Sequence, residues 1–90
     1  MTLASALLKQ IISQSDFVTW NRLKSHYLPS TTYQKIHGII DKHVLKYHKL
    51  PTFEDLKSSI RSRELQEQIY AIESVETEVD PYLLLDYLKN

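Results

Sequence analysis

The 90-residue chain contains no cysteine, only one glycine and no long apolar run. Without cysteine it forms neither disulfides nor thiolate metal sites, which fits a protein of the reducing cytoplasm. The single glycine excludes the phosphate loops GxGxxG and GxxxxGK followed by Ser or Thr, so this chain alone is not a P-loop ATPase. A membrane span needs about 18 consecutive apolar residues, and the sequence has no such run.

Length and composition predict one folded domain. The N-terminal residues Met1 to Leu8 lack the basic lead and long apolar region of a signal peptide, so we expect them to form part of a mature helix. The chain is 42% hydrophobic and 24% charged, which is typical of an ordinary globular domain. A chain of this size buries only about 60% of the surface that its unfolded form exposes, so we expect modest stability.

Charge is balanced overall but unevenly distributed along the chain. Residues 1–60 contain eight lysines and arginines against four acids, whereas residues 61–90 contain three against seven. This asymmetry is compatible with head-to-tail packing of like subunits, or with weak attraction of a polyanion to the basic part.

Apolar residues recur at helical spacing along nearly the whole chain, and no segment alternates as a strand does. The first apolar stripe, Leu3 to Ile11, fades at residues 13–15. Further helices are predicted near residues 16–27, 32–49, 53–60 and 63–74, and a last one opens at Asp80-Pro81. We therefore predict an all-α, compact bundle of about six helices. Residues 1–79 would form a globular head and residues 80–90 would begin a further helix.

The third predicted helix carries three different faces. Its core stripe consists of Tyr33, Ile36, Ile40, His43 and Tyr47. A basic stripe roughly 130° away consists of Lys35, Lys42, Lys46 and Lys49. Gly38, Asp41 and Leu45 point outward, and a helical glycine one heptad from an outward leucine suits the close approach of another helix. After Pro51, Thr52 is expected to cap the fourth helix, with Asp55 in a capping-box position.

The sequence contains no recognisable catalytic constellation. Of the four histidines, only His37 has a ligand-like neighbour four residues away, Asp41, and solvated or core-edge histidines explain the others more simply. We therefore expect no enzyme activity, no metal and no other cofactor in this chain.

The lysine stripe also permits a nucleic-acid interpretation. Four lysines on one helix face give salt-sensitive affinity for phosphates without sequence preference. The helix has no arginine to contact base edges, and a charged helical stripe is more often a solvated face.

The order of landmarks resembles the N-terminal domain of DnaB-type replicative helicases, especially those of phages. The resemblance covers most of the chain, from the helix start at Asp16-Phe17 to the closing DPYLLLDYL. Between them lie Leu28-Pro29 with Tyr33 shortly after, Tyr47-His48-Lys49 at the end of the long helix, and Pro51-Thr52 followed by Leu56. These are hydrophobic and turn positions rather than a catalytic signature.

The resemblance implies a non-catalytic, all-helical head that packs with its copies as a collar on a hexameric helicase and docks primase or a helicase loader. The family's ATPase domain would lie beyond residue 90. A free-standing adaptor, mimic or inhibitor of a helicase remains an alternative, as does a small nucleic-acid-binding regulator. The expected location is the cytoplasm, that of a bacterial host if the protein comes from a phage.

Two sets of residues follow from these hypotheses. The protein–protein interface is predicted at Gly38, Asp41, Leu45, Leu84 and Leu88. The alternative nucleic-acid contacts are predicted at Lys35, Lys42, Lys46 and Lys49.

Overall fold

The computed structural model describes residues 3–28 and 30–76, together with Leu83 and Asp86. Helices are the only regular structure in these ranges, which confirms the all-α prediction. In order they are α1 (Leu3–Gln14), α2 (Phe17–Arg22), a 3₁₀ turn (Ser25–Tyr27), α3 (Thr31–Tyr47), α4 (Phe53–Ser59) and α5 (Arg63–Glu73). The radius of gyration is 11.9 Å, close to the roughly 12 Å expected of a compact chain of this length.

Five α-helices therefore lie within the described ranges, against the six predicted for the whole chain. The sixth predicted helix, and the boundary between residues 79 and 80, fall outside those ranges except at two positions. Leu83 and Asp86 are both helical and exposed. Within the ranges described, no helix is both long and apolar enough to cross a membrane.

The predicted extent of the second helix is wrong. We predicted one helix through Tyr27, but α2 ends at Arg22, and Leu23 and Lys24 are extended with ψ of 124° and 147°. The break turns Leu23 into the core, where it is 2% exposed, while Phe17 and Tyr27 remain only partly buried. Burial of one leucine outweighs the continuation of a short helix, since most helix stability in proteins comes from tertiary packing.

The core is built around α1, which packs against α2 and α5. Leu7, Leu8 and Ile11 are fully buried, together with Ile36 and Ile40 of α3, Leu56 of α4, and Ile69 and Ile72 of α5. Leu3, the first residue of the apolar stripe, is 45% exposed at the start of the helix. The buried Ser5 side chain forms a hydrogen bond with the Tyr33 hydroxyl. The same hydroxyl also accepts a hydrogen bond from Gln68.

Side-chain caps define where the helices begin. Asp16 accepts from the Thr19 N–H at 3.1 Å, and Ser30 accepts from the Tyr33 N–H at 3.2 Å. Thr52 and Asp55 form the predicted capping box. Each cap satisfies an N–H group that has no partner within its helix, and loss of such a cap typically costs about 1 kcal/mol.

Candidate binding surface on helix α3

Helix α3 is the longest element and carries most of the predicted site residues. It begins after the Ser30 cap and ends at His48, whose φ of 59° places it in the left-handed region. The His48 N–H donates to the Val44 carbonyl at 2.7 Å and closes the last turn. Seventeen residues give a rod about 25 Å long, at about 1.5 Å per residue.

The C-terminal half of α3 is less buried than the first half, although Val44 still packs against the core. Tyr33, Ile36 and Ile40 are buried along one stripe, but His43 on the same stripe is only partly buried. Tyr47 is 51% exposed. The prediction that Tyr47 belongs to the core is therefore wrong, and that for His43 is only partly right. α3 packs chiefly against the 3₁₀ turn and α5, and His43 and Tyr47 face a space between α3 and α4 instead.

This geometry leaves an open groove between α3 and α4, which we call the α3–α4 groove. Its two adjoining parts have volumes of about 350 and 290 Å³ and share His43, Tyr47 and Ser59. One part is also lined by Ile39, Lys42, Lys46 and Leu56, and the other by Lys49, Asp55 and Ser58. The groove thus has apolar side chains together with three lysines.

His43 has an unpartnered polar atom beside this groove. Its Nε2 is buried and has no hydrogen-bond partner among the described residues. Its ring contacts that of Tyr47, with ring centroids 4.6 Å apart. A buried polar atom without a partner costs about 1–3 kcal/mol, so a hydrogen-bonding group that entered the groove and reached Nε2 would bind favourably.

The basic stripe is confirmed as an exposed surface, and its members differ in their surroundings. Lys42, Lys46 and Lys49 line the α3–α4 groove, whereas Lys35 does not. The Lys46 Nζ lies 5.3 Å from the centre of the Tyr47 ring, a cation–π arrangement. Within the described ranges, Lys57 and Arg63 form ion pairs, and none is seen for the α3 lysines.

Contacts between α4 and α5 fix the second wall of the groove. The Lys57 Nζ lies 2.6 Å from the Glu73 carboxylate and 4.6 Å from the centre of the Tyr70 ring. The hydrogen bond to Glu73 is the main reason that the pKa of Lys57 is raised above its ordinary value of 10.5. These contacts hold α4 against α5.

Asp55, at the start of α4, is the one acid among the described residues that line the groove. The Thr52 N–H donates to its carboxylate at 3.0 Å. This hydrogen bond is the main reason that the pKa of Asp55 is lowered below its ordinary value of 3.8. Asp55 is therefore ionised at neutral pH and partly offsets the nearby charge of Lys49.

The predicted protein-interface residues of α3 form an exposed face. Leu45 is 71% exposed, and Asp41 is exposed one turn before it. A Cβ built on Gly38 would have no atom within 4 Å, so the backbone is open to solvent at this position. The other two predicted interface residues, Leu84 and Leu88, lie outside the described residues.

A second groove lies between α2 and α3, and His37 has a structural role there. Its ring stacks on Trp20, with ring centroids 4.4 Å apart, and its Nε2 lies 3.3 Å from the Leu23 carbonyl oxygen. Asp41 lines the same groove of about 340 Å³. No group of three metal-ligating side chains occurs in the described part of the chain.

The α3–α4 groove is the feature that sequence reasoning missed. Helical spacing gives the direction in which Tyr47 and His43 point, but not the length of the neighbouring helices. The crowding of Lys46 and Lys49 around Tyr47 is the one available signal, because lysines seldom flank an aromatic side chain that is fully buried.

The outward face of α3 and the α3–α4 groove are assigned from the structure alone. The evidence for them is the exposure of Leu45 and Gly38, and the lysines that line the α3–α4 groove. No protein-family model, curated protein or solved structure matches this chain.

Proposed function

We propose that this chain is a non-catalytic protein-interaction domain of the kind that forms the N-terminal collar of DnaB-type replicative helicases. The helicase assignment depends on the resemblance of the sequence landmarks. The interaction role is supported above all by the outward face of α3, where Leu45 is 71% exposed.

Leu45 and Gly38 together suit a helix as the partner. The open backbone at Gly38 lets a second helix approach closely, and Leu45 supplies an apolar side chain for it to bury. Asp41, between them, adds a charge that favours a partner with a lysine or arginine at the facing position. In a collar, that partner is a second copy of the chain, and in a docking complex it is primase or a loader.

The test is Leu45→Glu in the full chain. We expect the helical circular dichroism spectrum to be retained, because the side chain has few contacts to lose, while association weakens about tenfold or more. Light scattering measures self-association, and pull-down with purified helicase, primase and loader measures docking.

Val18→Glu is the matched control. Val18 is 56% exposed on α2, so the substitution makes the same chemical change on a different surface. Unchanged self-association and unchanged docking in Leu45→Glu would refute the assignment of this face. Equal loss in both variants would show a general solubility effect instead.

One observation favours a second candidate function, the binding of single-stranded nucleic acid. Tyr47 is 51% exposed beside Lys46, and groove-lining lysines with an exposed aromatic ring are what sequence-independent binding requires. We expect fluorescence anisotropy to detect binding of a labelled single-stranded oligonucleotide at low salt. The affinity of the protein for the oligonucleotide should fall steeply as the salt concentration rises. Lys42→Glu/Lys46→Glu should abolish the signal, and absence of binding by the wild type at low salt would exclude this function.

A further inference from the structure

We infer that the α3–α4 groove binds the acidic and apolar C-terminal segment, residues 76–90, of a second copy of this chain. The inference rests on the proposed interaction role and names the partner. It concerns a different side of α3 from Leu45, so the two assignments can fail separately.

The groove has the composition of a site for an acidic, amphipathic segment. Ile39 and Leu56 supply apolar surface, and Tyr47 adds an exposed ring. Lys42 and Lys46 line the same part of the groove and have no ion pair within the described ranges. Lysines without acidic partners beside apolar surface can bind apolar side chains and carboxylates together.

The chain itself contains a segment of complementary chemistry. Residues 76–90 contain four acids and one lysine, interspersed with leucines and tyrosines; the acids are Glu76, Glu78, Asp80 and Asp86. In the structure Leu83 and Asp86 are both helical. This pairing of an apolar with an acidic side chain matches the pairing of apolar and basic side chains in the groove.

The exposure of Leu83 and Asp86 favours a second copy over the chain's own groove. Leu83 is 47% exposed, and Asp86 is also exposed. Both are accessible in the monomer, so a neighbouring molecule can cover them. The charge distribution also favours a second copy, because residues 1–60 carry an excess of basic residues and residues 61–90 an excess of acidic residues. Opposite charges meet when two copies associate head to tail.

The test uses two charge-reversed full-length variants. Lys42→Glu/Lys46→Glu makes the groove acidic, and Glu76→Lys/Asp86→Lys makes the segment basic. Each variant then presents like charges at both contacts, so we expect self-association to weaken about tenfold or more relative to the wild type. Sedimentation equilibrium should be run at low salt and up to about 1 mM protein, since a small interface gives weak association.

Mixing the two variants supplies the decisive measurement. In an equimolar mixture each groove meets a segment of opposite charge, so association should return to near the wild-type level. Lys24→Glu/Arg61→Glu is the matched control, since it reverses two exposed cations outside the groove and should leave association within about twofold. Lys42→Gln/Lys46→Gln serves as a milder variant if the double reversal disturbs the helical spectrum.

Three results would overturn the inference. The first is a wild type that stays monomeric at these concentrations, and the second is an equimolar mixture that fails to associate. The third is normal self-association in both variants while only the groove variant loses binding to a single-stranded oligonucleotide, which would assign the groove to nucleic acid. If Leu45→Glu has no effect but the mixture restores association, the outward face fails as an interface and the groove assignment stands.

Discussion

The two halves of α3 have the same helical pattern but different surroundings. In the first half, Thr31 to Ile40, the inward stripe is closed by the 3₁₀ turn and α5, and its apolar residues are buried. In the second half, residues 41–47, the stripe continues with His43 and Tyr47, but these side chains border an open groove. A helix can thus be a core element at one end and a binding surface at the other.

The buried residues of the first half stabilise the domain, whereas the exposed residues of the second half are available to a partner. Burial of apolar area in the first half contributes to folding, at about 25 cal/mol per Å². The second half leaves apolar and basic side chains accessible, so their burial remains available for association.

Ile40→Ala should have the largest effect. Ile40 is fully buried at the end of the packed half, so truncation removes apolar burial and leaves a cavity. We expect the free energy of unfolding to fall by about 2–5 kcal/mol, a large share of the total for a small domain. Urea unfolding followed by circular dichroism measures the change. A loss below about 1 kcal/mol would mean that this half of α3 is not packed as described.

Gly38→Ala should have a smaller effect of opposite sign. Alanine is about 1 kcal/mol more favourable than glycine inside a helix, and the added methyl group meets no atom within 4 Å. The free energy of unfolding should therefore rise by up to about 1 kcal/mol in the same urea assay. A destabilised variant would show that Gly38 lies against another part of the molecule.

Helix positions and caps were predictable because they depend on local chemistry. Thr52 with Asp55 identifies a capping box from four consecutive residues, and α3 was predicted to within two residues at each end. The break after Arg22 was not predictable, because Leu23 leaves the helix to reach a core formed by distant residues. The groove was missed for the same reason, since it depends on where α4 lies relative to α3.

The same distinction between local chemistry and tertiary packing applies to the candidate site. The outward direction of Leu45 and the exposure of Lys42 follow from the helical period alone, and both predictions are confirmed. What these surfaces bind depends on partners, and the prediction of a helicase collar stays a prediction. The exposure of Tyr47 depends on tertiary packing, and helical periodicity carries no information about that packing.

Asp55 gives a pH-dependent test of the groove's second wall. Its pKa is lowered in the folded state, mainly by the hydrogen bond from the Thr52 N–H, so its carboxylate stabilises the fold above pH 3.8. This contribution should be lost as the pH falls through the folded-state pKa and the group becomes protonated. We expect the difference in unfolding free energy between wild type and Asp55→Asn to shrink between about pH 5 and pH 2. A difference independent of pH would show that the carboxylate's charge has no part in the cap.

Tyr47→Ala should have the smallest effect on stability, and it tests the comparison most directly. Truncation of a tyrosine in the core would lower the free energy of unfolding by about 3–5 kcal/mol. A substitution on the surface usually changes it by less than about 0.5 kcal/mol. Tyr47 is 51% exposed, and its ring contacts His43 and Lys46, so we expect the smaller value in urea unfolding. Its effect should appear instead in sedimentation equilibrium, as weaker self-association at unchanged stability. A loss of several kcal/mol would place Tyr47 in the core after all, and the second half of α3 would then be a packed element like the first.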